Sequence, residues 1–271
     1  MNSVPSHSGT GEHTVVITRV AERQWHALED DRVVGRGEAW RRLDGRLFAS
    51  IDSWHGAVFD QLADVMLAGL PRPLYTMADE ADVDLTSHWE RVGFTARHRE
   101  WVCLVPTDPR ATGLDSAQPP SGVTIVPLGE AEEGPLRQLD RTIRDEVEAS
   151  VGWQEMPAEV LRRPDDAAPV DPSKLVDPSK YAVAALADHY VGLIRVAPVP
   201  RQPRLGLVAV RADQHRRGIA HAMLAQVLGS LHQSGIQTVS AEVSESNEAA
   251  LALFDGIGAQ RVNSNLELVL R

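Results

Sequence analysis

The residues best suited to do chemistry are Arg216, Arg217 and Gly218, within LGLVAVRADQHRRGIA from Leu205 to Ala220. The nearly continuous apolar run Leu205 to Val210 predicts a strand covered on both faces. Ile219, Met223, Val227 and Leu231 fall on one stripe and predict a helix that stops at Gly235. A short basic turn joins the two. At the helix start the backbone N–H groups of Arg216, Arg217, Gly218, Ile219 and Ala220 would lack intrahelical acceptors, and the helix dipole adds positive potential at the same end. Gly218 permits close approach of a phosphate, Ala220 keeps the helix near its ligand, and the two arginines add charge. The chemistry is that of an anion site. An ordinary strand-to-helix turn with solvated arginines is the alternative these residues leave open.

A second segment, AEVSESNEAALALFDGIGA from Ala241 to Ala259, reads as the end of a strand (Thr238 to Val243) and a helix from about Asn247 to Asp255, with Ser244 or Ser246 available as its cap. A last strand spans Leu266 to Leu270. Together, over about residues 205 to 270, the two segments resemble the GNAT N-acyltransferase superfamily, whose cofactor loop has the form Q/R-x-x-G-x-G/A. Here the loop is His215-Arg216-Arg217-Gly218-Ile219-Ala220, with His at the first position and Gln214 one place earlier. Asn247, Ala250, Leu253 and Gly258 fall on the family's downstream pattern.

The resemblance implies acetyl-CoA as co-substrate. Its diphosphate would lie on His215 to Ala220. Its pantetheine would run along Val208, Ala209 and Val210, where their strand splays from the one holding Val239 to Val243, and Asn247 would also lie at the cofactor. The reaction implied is acetyl transfer to a primary amine, which must first lose a proton to a base or a water chain. Glu242 is the candidate base, near the end of its strand and opposite the face of Val239, Ala241 and Val243; a solvated strand-end carboxylate is the alternative. Phe254 stands where the family usually has a Tyr acid, on an apolar stripe with Ala250 and Ile257, and reads as core. His215 and His221 read as solvated or phosphate-adjacent. The first expectation is therefore an N-acetyltransferase acting on a small-molecule amine. The second is an acyl-CoA-binding regulatory or scaffold protein with little turnover.

These elements need a scaffold, and the chain has material for two. At 271 residues with 43% hydrophobic content, it exceeds a comfortable single core. The stretch from Thr107 to Gly122 is rich in Pro, Gly, Ser and Asp and reads as a linker. Beyond it, Val123 to Pro127 reads as a strand, Glu130 to Ser150 as an amphipathic helix, and Tyr181 to Ala187 with Tyr190 to Ala197 as an antiparallel pair turning at Asp188-His189. Before it, Arg46 to Ile51, Leu74 to Ala78 and Glu100 to Val105 read as strands, with helices at Val58 to Leu70 and Thr86 to Val92. Matching order on both sides predicts a hidden repeat; an unrelated α+β domain is the alternative. The expected fold is a mixed α/β arrangement of two tandem GNAT-like domains, each a central mixed sheet flanked by helices. They comprise a degenerate N-terminal domain (1–106), a linker (107–121) and an acetyl-CoA-binding domain (122–271), the last expected to bind its cofactor alone. The N-terminal counterpart of the basic loop, Asp52-Ser-Trp-His-Gly-Ala-Val-Phe59, has no arginine. Five of the six tryptophans lie in this half and read as core or interdomain contacts, or as lining for a substrate groove.

The remaining composition narrows the partners. A formal charge of −11 disfavours nucleic acid and favours cationic or amine-bearing substrates. Cys103 is the lone cysteine, which excludes an internal disulfide and a thiolate metal site, fits a reducing compartment, and leaves no metal expected. No apolar run of roughly 18 residues exists, so no membrane partner is expected. The N-terminus lacks a secretory pattern and reads as a frayed leader of about 12 residues on a cytoplasmic protein. Oligomeric state is not legible. The irregular stretch Pro157 to Lys180 carries DPSK twice, and Trp153, Glu155, Asp165, Asp166, Asp171 and Asp177 make this neighbourhood an acidic candidate for the amine entrance; a solvated acidic loop is the alternative.

Overall fold

The computed structural model describes residues 14–42, 45–150, 152, 156, 176–199 and 202–271. The chain opens with three antiparallel strands, β1 (Val16–Ala21), β2 (Gln24–Glu29) and β3 (Arg32–Arg41). Asp30 and Asp31 both adopt positive φ, 47° and 62°, in a two-residue hairpin turn whose twist suits its strands. Next come β4 (Leu47–Ser53), α1 (Gly56–Gly69), β5 (Leu74–Asp79), α2 (Val83–Arg91) and β6 (Thr95–Pro106). Helix α1 buries Val58, Phe59, Leu62, Ala63 and Met66. It sits so close to β3 that a Cβ at Gly37 would lie 2.0 Å from the Met66 sulfur, so any larger residue there would have to displace the Met66 side chain. Trp25 and Trp89 are core, whereas Trp54 is 77% exposed.

The second half contains α3 (Pro109–Thr112), β7 (Val123–Val126), α4 (Glu133–Ala149), β8 (Tyr181–Leu186), β9 (His189–Ala197), β10 (Arg204–Val210), α5 (Ile219–Gln233), β11 (Thr238–Ser244), α6 (Glu248–Gly256) and β12 (Gln260–Leu270). The segment that reads as a linker is anchored: Thr107, Thr112 and Leu114 are buried, and Leu114 joins the core beneath α5. The cap of α6 is not Ser244 or Ser246. Asn247 accepts from the Ala250 N–H at 3.0 Å, while the two serine hydroxyls lie 2.8 Å from each other.

The twelve strands among the described residues form one sheet, in the order β1-β2-β3-β4-β5-β12-β6-β11-β10-β9-β8-β7. The last strand of each half has crossed into the other. Strand β12 lies between β5 and β6, with Leu268 facing Thr76 on one side and Ala96 on the other. Strand β6 in turn lies against β11, with Val105 opposite Val239 and Val102 opposite Glu242. The cores interlock accordingly. Leu268 and Leu270 of β12 pack with Leu62, Trp89 and Phe94, whereas Cys103 and Val105 of β6 pack with α5 and α6 residues such as Leu224, Val227 and Phe254. On the opposite face, Leu136, Leu139 and Ile143 of α4 cover Tyr181, Val183, Leu193 and Leu207. No helix among the described residues is long and apolar enough to cross a membrane.

Candidate functional site

Strands β10 and β11 run parallel but pair only at Arg204↔Ser240 and Leu205↔Ala241. Between Leu205 and Leu207 the register of β10 against β9 slips by one residue, a bulge that bends the strand, and beyond it β10 and β11 part. The Arg211 N–H donates to the Val191 carbonyl at 2.9 Å. Backbone groups alternate along an antiparallel ladder, so Ala209 pairs towards β9 while Val208 and Val210 turn theirs into the gap. Strands β4 and β5 pair over the same short length, Leu47↔Leu74 and Phe48↔Tyr75. The splay therefore occurs in both halves, but the loop entering α1 offers Asp52, Trp54 and His55 where the loop entering α5 offers Arg216 and Arg217.

The gap between β10 and β11 opens into a cleft of about 650 Å³. Val208, Ala209 and Val210 form one side, and Glu242, Val243 and Ser244 the other. Asn247 and Phe254 approach from α6, while His215, Arg216, Gly218, Ile219 and Ala220 close one end. Of the residues expected to hold the cofactor or act as base, Arg217 alone does not border it; its guanidinium bonds Gln214. Sequence reasoning missed Ser244 and Met156 as lining residues.

The turn into α5 uses positive φ at Arg216 (60°) and Gly218 (81°). Helix α5 has no side-chain cap and no acidic residue in its first turn, so its leading N–H groups remain for an anion. A Cβ at Gly218 would meet nothing within 4 Å, so the glycine faces open space. A His215 ring nitrogen lies 2.7 Å from the Val210 carbonyl, tying the loop to the end of β10 at the cleft wall. Glu146 on α4 accepts from the Ala212 N–H at 2.9 Å and braces the loop from the other face.

Phe254 is 5% exposed and belongs to the core shared with Cys103 and Val239. Phe254→Ala is expected to cost about 3–5 kcal/mol of folding stability, read by denaturant unfolding. A loss below about 1 kcal/mol would show that the ring is not packed as core. Glu242 Oε1 is held by Arg204 Nη1 at 3.0 Å, so the candidate base is an ion-paired carboxylate.

Behind Glu242 lies a second carboxylate that sequence reasoning passed over. Glu100 of β6 stands directly opposite Ser244 of β11 and Asn265 of β12. Directly opposed residues project to one face, so Glu100 shares its face with Glu242 and Ser244. It is 2% exposed, and His98 Nε2 lies 3.8 Å from its Oε1. Burial first, then the charges of Glu242 and Glu267, push its carboxyl up to about 7, against the pull of Arg42 and Arg46. The neighbouring Glu267 is instead bonded by Arg46 at 2.7 and 2.9 Å and by Arg97 at 2.6 Å.

A raised folded-state value means that the native protein holds the Glu100 proton more tightly than the unfolded chain does. The resulting stabilisation is full below pH 4.5 and is lost as pH rises through about 7. Glu100→Gln is therefore expected to stabilise the protein relative to wild type at pH 8, by on the order of 3 kcal/mol, and to differ little at pH 4.5. Melting curves across this range check it. An unchanged difference between the two pH values would remove the titration from Glu100.

The acetyltransferase (GNAT) family model matches residues 146–259. Over 51 residues, 19% of this chain, the sequence is 37% identical to the ribosomal protein bS18 alanine N-acetyltransferase of Escherichia coli strain K12. The match spans about a third of that relative's length, 34%. A GCN5-related N-acetyltransferase from Sphaerobacter thermophilus superposes on 93% of this chain and 82% of its own, with TM-score 0.60 and 16% identity. A tandem GNAT protein from the clavulanic acid biosynthesis pathway does so over 91% of this chain and 82% of its own, with TM-score 0.62 and 15% identity. At such identities the likeness is one of fold. Residues 146–259 thus match the GNAT acetyltransferase family, and the described strands form a mixed α/β sheet of the kind found in a tandem GNAT protein.

Proposed function

We propose that the chain transfers the acetyl group of acetyl-CoA to a primary amine. The observation that carries this reading is the parting of β10 and β11 over a cleft that ends at the uncapped N-terminus of α5. Each portion of the cofactor then has a chemical counterpart. The diphosphate suits the N–H groups from Gly218 to His221, beside Arg216. The pantetheine amides suit the backbone of Val208 and the Val210 N–H, which face the gap as they would face a further strand, the Val210 carbonyl being engaged by the His215 ring. Acetyl-CoA supplies a thioester whose carbonyl carbon is open to attack, and an N–H lining the gap would polarise that carbonyl as an oxyanion-type donor. Arg204 holds the Glu242 carboxylate at the cleft wall. A carboxylate there attracts an ammonium and orients it.

The acceptor we favour is a small-molecule amine of cationic character, in line with the charge of −11, in a cytoplasmic setting. Glu155, Asp165, Asp166, Asp171 and Trp153 of the acidic stretch lie outside the described residues. Asp177 is described, and its carboxylate caps the turn at Ser179, accepting from the Ser179 hydroxyl at 2.6 Å. One observation favours a second reading. Phe254 has no proton to return to the thiolate, as suits a protein that binds acyl-CoA with little turnover. Release of CoA thiol from acetyl-CoA separates the two, with 1,4-diaminobutane, glucosamine and a peptide beginning with alanine as acceptors. Amine-dependent release supports transfer; tight acetyl-CoA binding with no release from any acceptor supports the second reading.

A further inference from the structure

We propose that Glu100, on a strand supplied by the other half of the chain, takes up the proton that the acceptor amine must lose, across the polar edge formed by Glu242 and Ser244. This rests on the acetyl-transfer reading and deepens it. The geometry is that of three polar neighbours on one face, two carboxylates and a hydroxyl: Ser244 and Glu242 border the cleft, and Glu100 stands opposite Ser244, one strand further from the cleft. Glu242 is engaged by Arg204 at 3.0 Å, and an ion-paired carboxylate surrenders its charge reluctantly. Beside Glu100 stands His98, its Nε2 at 3.8 Å from Oε1, beyond hydrogen-bond distance.

The groups facing Glu100 come from every element around it. Glu242 of β11 and Glu267 of β12 raise its proton affinity, Arg42 after β3 and Arg46 before β4 lower it, and His98 shares its own strand. The outcome is a carboxyl near 7, close to the working range of a general base. A buried carboxylate of this kind destabilises the folded protein at neutral pH, and such a cost is tolerated where function needs it.

The step balances as follows. An ammonium proton passes by way of the Ser244 hydroxyl, which borders the cleft, to the Glu100 carboxylate on the next strand, leaving a neutral amine whose lone pair attacks the thioester carbonyl carbon. The C–N bond forms and the C–S bond breaks. The thiolate takes the second proton that the nitrogen sheds as the amide forms, and Glu100 returns its own proton to solvent.

The test uses the full chain, acetyl-CoA and the fastest acceptor among 1,4-diaminobutane, glucosamine and the alanine peptide. Glu100→Gln is expected to lower kcat about 100-fold with the acetyl-CoA Kd unchanged. Wild-type kcat/KM should rise through a limb near pH 7 that is lost in this variant and stays in place when an amine of different basicity is used. Glu100→Asp should recover part of the rate. Unchanged acetyl-CoA affinity shows that each variant is folded; should Glu100→Gln fail to bind, Glu100→Asp carries the test through its shifted pH limb. Wild-type rate and pH limb in Glu100→Gln would overturn the role of Glu100 alone. Absence of thiol release from the wild-type protein would overturn the transfer reading on which it rests.

Discussion

A fragment comprising residues 121–271 is expected to remain unfolded by itself and to fold when coexpressed with residues 1–120. The motifs alone favour the opposite, because everything that resembles a cofactor site lies beyond Gly122. Strand order decides against it. In the fragment, β12 loses both of its neighbours, β5 and β6, and β11 keeps only its short pairing with β10. Val239, Ala241 and Val243 would lose Cys103 and Val105 from their core. Each fully buried apolar side chain contributes about 1.5–3 kcal/mol, and several would be exposed at once. A domain has only about 5–15 kcal/mol of net stability in total. Circular dichroism and gel filtration of the fragment, alone and with its complement, read the result. A cooperative melt of the isolated fragment, raised by CoA, would show that the exchanged strands are dispensable.

Gly218→Glu is expected to weaken acetyl-CoA binding by about 100-fold or more, since it sets a negative charge where the helix terminus would receive a diphosphate. The fold should survive. A Cβ at this position meets nothing within 4 Å, and the φ of 81° costs a non-glycine residue about 1–2 kcal/mol. Gly218→Ala separates the two effects: it carries the same backbone strain without the charge, and should lose at most about tenfold. Calorimetric titration compares the three proteins. Equal losses in both variants would place the effect in the backbone and leave no role for an anion at α5.

The C-terminal elements were legible for a physical reason. Leu205, Leu207, Ile219, Met223 and Val227 are buried within an apolar run and a helical stripe that are each continuous in sequence, so their periodicity survives in the residue pattern. Strands β1 to β3 were not legible: β1 is an edge strand whose side chains are almost all exposed, and the arginines and glycines of β3 blur its alternation. Strand β6 begins at Thr95 rather than Glu100, because its first residues pair with β12 and carry charge for Glu267 instead of apolar side chains for a local core. The exchange itself leaves no local trace, since β6 and β12 read as ordinary closing strands wherever they lie. Of the site, the backbone cradle was readable from Gly218 and the apolar strand before it. Glu100 was not, although His98, Glu100 and Val102 alternate with Trp101, Cys103 and Val105, and a carboxylate at such a mid-strand position was a signal. Arg46, just before β4, and Arg204, the first residue of β10, each hold a glutamate at the start of a splaying strand, a further mark of the repeat.

Amide hydrogen exchange of the full chain with and without acetyl-CoA tests the placement of the cofactor most directly. Protection is expected at Val208 and Val210 and from Gly218 to His221, where N–H groups face the gap or the helix terminus, while the matching loop from Asp52 to Val58 should exchange unchanged. Protection confined to the N-terminal loop, or no change along β10 and the start of α5 at saturating acetyl-CoA, would contradict the assignment of this cleft.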